Sequence, residues 1–405
     1  MKRFLIFICA LFMCGVVNAA TLNIKHNNIT KQITLDTIQR TKPALAMRIN
    51  NKTYYADLIE TTVRNANNIY VAYNNKTYMV RDNKEYAFFI TTTGATTSFD
   101  FKMSASGNFV VDWGDGTTQE IVRANTTETT YSHNYAAAGE YQIRLGGRAT
   151  EYNTNYTTAA ISFEGNKNIT KINNSLGAVF PSIGGADTPS EQPRFYRTFA
   201  DCSNLTGKIP DNLFDGVSGA PIKYMFTGTF LRCIGLTAIP ETLFAGVSGA
   251  PAEWMFYYTF EGCTGLTEIP ENLFAGIKGA PAANMFRSTF ISCSGLKSIP
   301  EKLFAGISGE PAERMFYCTF QSCTNLTGNI PVGLFGKLYG APAYEMFGGT
   351  FKGCTYLTGP TARTYDENDN LVRLYDIMYN GKTWLSQNSR AFLYMYDNSG
   401  IDINN

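Results

Sequence analysis

The chain has 405 residues, with 34 Lys and Arg against 33 Asp and Glu and only two His. A net charge of +1 leaves no basic surface for a phosphate backbone, which argues against nucleic acid as a partner. Tyr at 24, Phe at 28 and a charged fraction of 17% suit a β-rich or repeat protein and exclude a disordered one.

Lys2 and Arg3 precede an apolar run from Phe4 to Val17, then Val17-Asn18-Ala19. This pattern predicts a secretory signal peptide over 1–19, cleaved after Ala19. Cys14 invites a lipoprotein reading, but Phe12 and Met13 stand where small residues are needed. No later stretch has the ~20 apolar residues of a membrane span, so a secreted, extracellular or cell-surface protein without a transmembrane segment is expected.

Residues 20–84 carry Met47-Arg-Ile-Asn-Asn-Lys-Thr-Tyr-Tyr55 and Val71-Ala-Tyr-Asn-Asn-Lys-Thr-Tyr-Met79. In each phrase β-prone residues flank Asn-Asn, which tolerates the left-handed turns of tight hairpins, so a small antiparallel β module is expected.

From 85 to 165 short β patterns recur between Gly and Asn turns: Phe88-Phe-Ile-Thr, Thr97-Ser-Phe-Asp-Phe101, Phe109-Val-Val-Asp-Trp113 and Glu140-Tyr-Gln-Ile-Arg-Leu145. They predict an antiparallel β-sandwich. Val111-Asp-Trp-Gly-Asp-Gly-Thr117, Tyr131-Ser-His-Asn-Tyr135 and Ala138-Gly-Glu-Tyr141 resemble, in order and spacing, the polycystic-kidney-disease (PKD) type of immunoglobulin-like sandwich. That resemblance implies an extracellular spacer or adhesion module. Asp112 and Asp115 are candidate calcium ligands, since hard oxygen donors near glycine turns suit that ion; the competing reading is that each Asp caps its own turn. No other cofactor is expected.

Near-copies of one segment fill residues 195 to 357, with Cys202, Cys233, Cys263, Cys293, Cys323 and Cys354 at spacings of 31, 30, 30, 30 and 31. Units too small to bury their own apolar face must stack. Within one unit, Leu266 and Ile269 precede Pro270 and predict a very short strand. Leu273, Phe274 and Ile277 predict a first helical segment ending at Gly279. Met285, Phe286, Thr289, Phe290 and Cys293 predict a second. Asn204, Gly235, Gly265, Gly295 and Asn325 then read as left-handed helix ends. The expected fold is thus multidomain: an α/β leucine-rich-repeat solenoid over 166–360, with short parallel strands and two helical segments per coil, after the sandwich. An atypical first coil is expected from Ile169, and a C-terminal cap over 361–405.

Leu-x-x-Ile-Pro-x-x-Leu-Phe closed by Thr-Phe-x-x-Cys-x-x-Leu resembles the BspA-like leucine-rich repeats of bacterial surface proteins. The resemblance implies adhesion or binding to a host or matrix protein and no catalytic residues. One departure from that pattern is the acid at Asp211, Glu241, Glu271 and Glu301, where a second aliphatic residue is usual.

The cysteine column is expected to hold reduced, structural thiols packed beside Phe, although neighbours at strand spacing lie within disulfide reach. Cys318, off the column, is the candidate reactive thiol. A linear column cannot converge on zinc. Only His26 and His133 are available for acid–base work, and no nucleophile elbow or His-Glu-x-x-His is present, so no enzyme is expected. Variable positions beside the constant framework, Tyr224, Trp254, Tyr257, Tyr258, Arg287, Arg314, Tyr317 and Tyr344, are predicted to align as an aromatic strip contacting protein or glycan. The alternatives are a structural spacer without ligand and, more remotely, a glycan-active enzyme.

Overall fold

A computed structural model describes the backbone of the strands between 20 and 82 and, beyond them, residues 86–92, 98–183 and 188–403. The leader over 1–19 and the Asn50-Asn51 and Asn74-Asn75 turns lie outside the described residues. The chain divides into two units, Met1–Ala87 and Phe88–Asn405.

The first unit is one antiparallel sheet of β1 (Ala20–His26), β2 (Ile29–Leu35), β3 (Ala44–Ile49), β4 (Lys52–Glu60), β5 (Ile69–Tyr73) and β6 (Lys76–Asp82), in the order β1-β2-β3-β4-β6-β5. Ile49 pairs with Lys52 and Tyr73 with Lys76.

The second unit opens with β7 (Phe88–Thr92), β8 (Ser98–Met103), β9 (Ser106–Asp112), β10 (Thr118–Arg123), β11 (Thr129–Asn134), β12 (Gln142–Glu151), β13 (Ile161–Ser162) and β14 (Ile169–Asn174). They form a five-stranded sheet, β10-β9-β12-β7-β14, and a three-stranded one, β11-β8-β13. Strict alternation along β8 buries Phe99, Phe101 and Met103 and exposes Ser98, Asp100 and Lys102, as a half-buried strand requires. The two sheets meet across aromatic rings: Phe99 and Phe101 lie 6.5 and 5.9 Å from Trp113, and Phe88 lies 6.1 Å from Phe163. Ile169–Asn174, expected to open the repeats, is instead the edge strand paired antiparallel with β7.

The expected α/β leucine-rich-repeat solenoid is overturned. The described residues form small, mostly antiparallel sheets, and α-helix is confined to α1 (Leu176–Val179) and α2 (Trp384–Gln387). None of the two helical segments expected per unit forms; both are chains of tight turns. In residues 282–293 the N–H of Met285, Arg287, Thr289 and Cys293 reaches back three residues, to Ala282, Asn284, Phe286 and Phe290. The alternate N–H groups of Asn284, Phe286, Ser288, Phe290 and Ser292 donate instead to Glu313, Met315, Tyr317, Thr319 and Gln321 of the next repeat. A helix cannot divide its donors this way, because all of them point along its own axis.

The backbone angles show why. Asn284, Ser288 and Ser292 have φ of 58°, 53° and 59°, and the same three corners recur at Tyr224, Gly228 and Arg232 and at Trp254, Tyr258 and Gly262. A left-handed residue at every fourth position breaks a right-handed helix at each turn. The glycines after the cysteines are not left-handed ends: Gly265 and Gly295 have no positive φ, and a Cβ there would meet the carbonyls of Leu236 at 2.6 Å and Thr264 at 2.4 Å. They are small because the preceding repeat passes so close.

Strand pairing between repeats is minimal: β15 (Thr206–Lys208) lies parallel to β16 (Gly235–Ala238), Ser308–Gly309 lies parallel to Lys337–Leu338, and single bridges such as Gly249 with Ile277 join other units. Side chains stack in register instead. Phe226, Phe256, Phe286 and Phe316 form one ring column at 5.4 to 5.7 Å, and Phe230, Phe260, Phe290 and Phe320 a second at 5.5 to 5.7 Å.

The C-terminal segment is a divergent last repeat as well as a cover. Ala391, Leu393 and Met395 accept the N–H groups of Phe347, Gly349 and Phe351 at 2.8 to 2.9 Å, and Phe392 and Tyr396 end the two ring columns. Among the described residues no helix is long and apolar enough to cross a membrane.

Candidate interaction strip

The left-handed corners place the variable side chains. Tyr224, Trp254, Asn284 and Arg314 occupy one corner of successive units, with φ of 62°, 60°, 58° and 51°. Arg287, Tyr257 and Tyr317 occupy the position before the next corner, where Ser288, Tyr258 and Cys318 have positive φ. Because the units stack in register, residues 30 apart become neighbours.

The result is one run of rings and cations from Tyr156 to Tyr317 and a separate cluster at Arg314, Tyr344 and Arg390. Tyr156 stacks on Tyr224 at 5.8 Å, and Tyr224 on Trp254 at 5.7 Å with planes 2° apart. Tyr257 meets Trp254 edge-on at 4.9 Å and lies against Tyr258 at 3.7 Å. The Arg287 guanidinium lies 5.6, 5.3 and 5.1 Å from the ring centres of Trp254, Tyr257 and Tyr317. Arg314 lies 5.0 Å and Arg390 5.9 Å from the ring of Tyr344. Such contacts contribute ~0.5–1 kcal/mol each at exposed sites and more where water is excluded.

Of the eight residues expected from sequence, Tyr224, Trp254, Tyr257, Tyr258, Arg287 and Tyr317 are brought together in one run, while Arg314 and Tyr344 form a separate pair. Tyr156 and Arg390 join these contacts unforeseen, and Arg194 packs beneath the Tyr156 ring; all three lie outside the clear repeats. Arg194 had a signal: it precedes Phe195 where Met225, Met255, Met285 and Met315 precede their own Phe. It is buried, donates to the carbonyls of Lys223 and Asn153 and leaves one Nη2 unpaired, and burial pulls its pKa down.

Two of the cations beside the strip are neutralised. Lys223 pairs with Glu253; Arg314 pairs with Glu345 and with Glu313, both at 2.8 Å. Burial acts to raise the Glu345 carboxyl, but its bonds to Arg314 and Tyr344 outweigh that and hold it low. Burial pushes the hydroxyls of Tyr224, Tyr257 and Tyr317 up.

Asp112 and Asp115 sit together in the turn after β9, each capping its own backbone. Asp112 accepts from Gly114 N–H at 3.0 Å; Asp115 accepts from Thr117 N–H at 2.9 Å and meets His133 Nε2 at 2.7 Å. Among the described residues no three His, Cys, Asp or Glu side chains gather as a metal site.

The six column cysteines are unpaired and buried. Each thiol donates to a Phe carbonyl of the preceding unit, as Cys263 to Phe230 and Cys293 to Phe260 at 3.0 and 2.9 Å. Thr259, Thr289 and Thr319 do the same for Phe226, Phe256 and Phe286 at 2.9 to 3.0 Å. These columns satisfy carbonyls that the turn ribbon turns inward. Cys318 is also buried.

A separate polar cleft of about 630 Å³ gathers Lys102, Asn166 and Tyr196 with three acids that look scattered in the sequence, Asp100, Glu128 and Glu164. Two of them are held by cations: Glu128 by Lys102 at 3.2 Å and Glu164 by Arg197 at 2.7 Å. Comparison with family models, with curated proteins and with solved structures finds no match.

Proposed function

We propose that this chain is a secreted or surface-displayed bacterial binding protein whose aromatic–cation strip contacts a host or matrix protein or a surface glycan, without catalysis. The observation that carries the reading is the continuity of the strip, in which Tyr156, Tyr224, Trp254, Tyr257, Arg287 and Tyr317 touch in succession across separate repeats. Trp, Tyr and Arg are the residue types that dominate protein contact surfaces. The export signal and the resemblance of the repeats to BspA-like surface proteins, with a PKD-like sandwich before them, support the same reading.

Replacing Trp254, Tyr257 and Tyr258 together by alanine should reduce binding to cells, matrix proteins or mucin while the melting curve keeps its cooperative shape. A second reading, a surface spacer without ligand, draws on the fact that these rings stack on one another. Unchanged binding in the triple variant would favour that spacer.

A further inference from the structure

Arg287 differs from its neighbours on the strip. Lys223 and Arg314 each have a carboxylate partner, whereas Arg287 has none among the described residues; its one hydrogen bond is from Nη1 to Asn284 Oδ1 at 3.3 Å. Its Nε is buried without a partner. The cause is local sequence. Where the flanking repeats carry Glu253 and Glu313, this one has Ala283, and both glutamates are taken by Lys223 and Arg314. The guanidinium is held instead by the rings of Trp254, Tyr257 and Tyr317.

Resting on the binding role proposed above, we infer that Arg287 is the specificity centre of the strip and receives a carboxylate side chain from an acidic segment of a partner protein. A guanidinium fixed by packing and short of acceptors is prepared for a charge-assisted, fork-shaped bond to a carboxylate. Protein is favoured over glycan by the ring geometry. Trp254 has Tyr224 parallel to it from the preceding repeat at 5.7 Å and the Arg287 guanidinium from the following one at 5.6 Å. These two neighbours leave less of the Trp254 face for a sugar ring to cover. Tyr257 meets Trp254 edge-on beside the guanidinium, and ring edges carry the positive end of the aromatic quadrupole, which favours an anion beside them.

The test uses the full chain, immobilised, with hexaglutamate, hexaglutamine and chondroitin sulfate as probes at low and physiological salt. Hexaglutamate is expected to bind in preference to the other two, and R287Q to weaken that binding at least tenfold. R287K, which keeps the charge without the fork, should fall between them and serves in place of R287Q if the latter melts early. No hexaglutamate binding, equal binding by wild type and R287Q, or a preference for chondroitin sulfate would each overturn the inference. Loss of cell binding in the triple alanine variant but not in R287Q would remove the acidic partner and leave the strip as the binding surface.

Discussion

The ring of Phe163 lies 5.5 Å from that of Phe199 with planes 12° apart, so the ring column of the repeats begins inside the core of the sandwich. Phe163 also contacts Phe88, Phe99 and Phe101, and its N–H donates to Thr198 at 2.7 Å. Sandwich and repeats share one hydrophobic seam.

Phe163→Ala should therefore cost ~3–5 kcal/mol, the range for emptying a buried aromatic site, and should unfold both parts together. Denaturant titration read at Trp113 in the sandwich and Trp384 near the far end checks this. A shift confined to one tryptophan would contradict the shared seam.

Close passage of successive repeats makes certain glycines irreplaceable. A Cβ at Gly276 would meet the Val247 carbonyl at 2.3 Å, whereas one at Gly116 meets nothing within 4 Å. Gly276→Ala should destabilise by about 3 kcal/mol or more. Gly116→Ala, penalised only through its φ of 94°, should cost about 1–2 kcal/mol. Paired thermal melts of the two variants compare them directly.

Burial pushes the Cys202 and Cys354 thiols up to about 12 and Cys318 up to about 11. Since the thiolate is the reactive form, the folded protein should resist alkylation near pH 8. Under mild denaturant Cys318 should label first, which mass spectrometry of partial alkylation will show.

Asp115 provides a pH test. Burial works to raise its carboxyl, but the hydrogen bonds from Thr117 and His133 prevail and hold it at about 2 against an ordinary 3.8. A carboxyl depressed on folding stabilises above its unfolded pKa and loses that effect as pH falls through the folded one. Its contribution should thus be complete above about pH 4 and fade toward pH 2. Asp115→Asn should flatten the melting temperature over that interval and leave other slopes unchanged.

Much of this architecture can be read from columns. The Cys, Thr and Phe positions of the repeats are inward-facing, and six of the eight variable positions touch in one run, with Arg314 and Tyr344 paired apart from it. The helical reading failed because Met285, Phe286, Thr289, Phe290 and Cys293 would share one face of a helix as well, so their spacing alone does not separate a helix from a ribbon of four-residue turns. Propensity concealed the turns, because Trp254, Tyr258 and Arg314 hold left-handed corners that sequence rules reserve for Gly and Asn. The hidden last repeat was missed because Phe392 and Tyr396 keep the spacing while Ser399 sits where the other units have Cys.

Alternate donors in each unit pass only to the following one, as from Phe256 to Met285 and from Phe286 to Met315. The assembly consequently has a direction, and its length is a free variable. Duplicating one thirty-residue unit would give every new donor an acceptor and every new carbonyl a donor, while the sandwich at one end and residues 391–398 at the other kept their own bonds. Reach toward a partner is thus adjustable by whole copies, without any change to the rules that fold each copy.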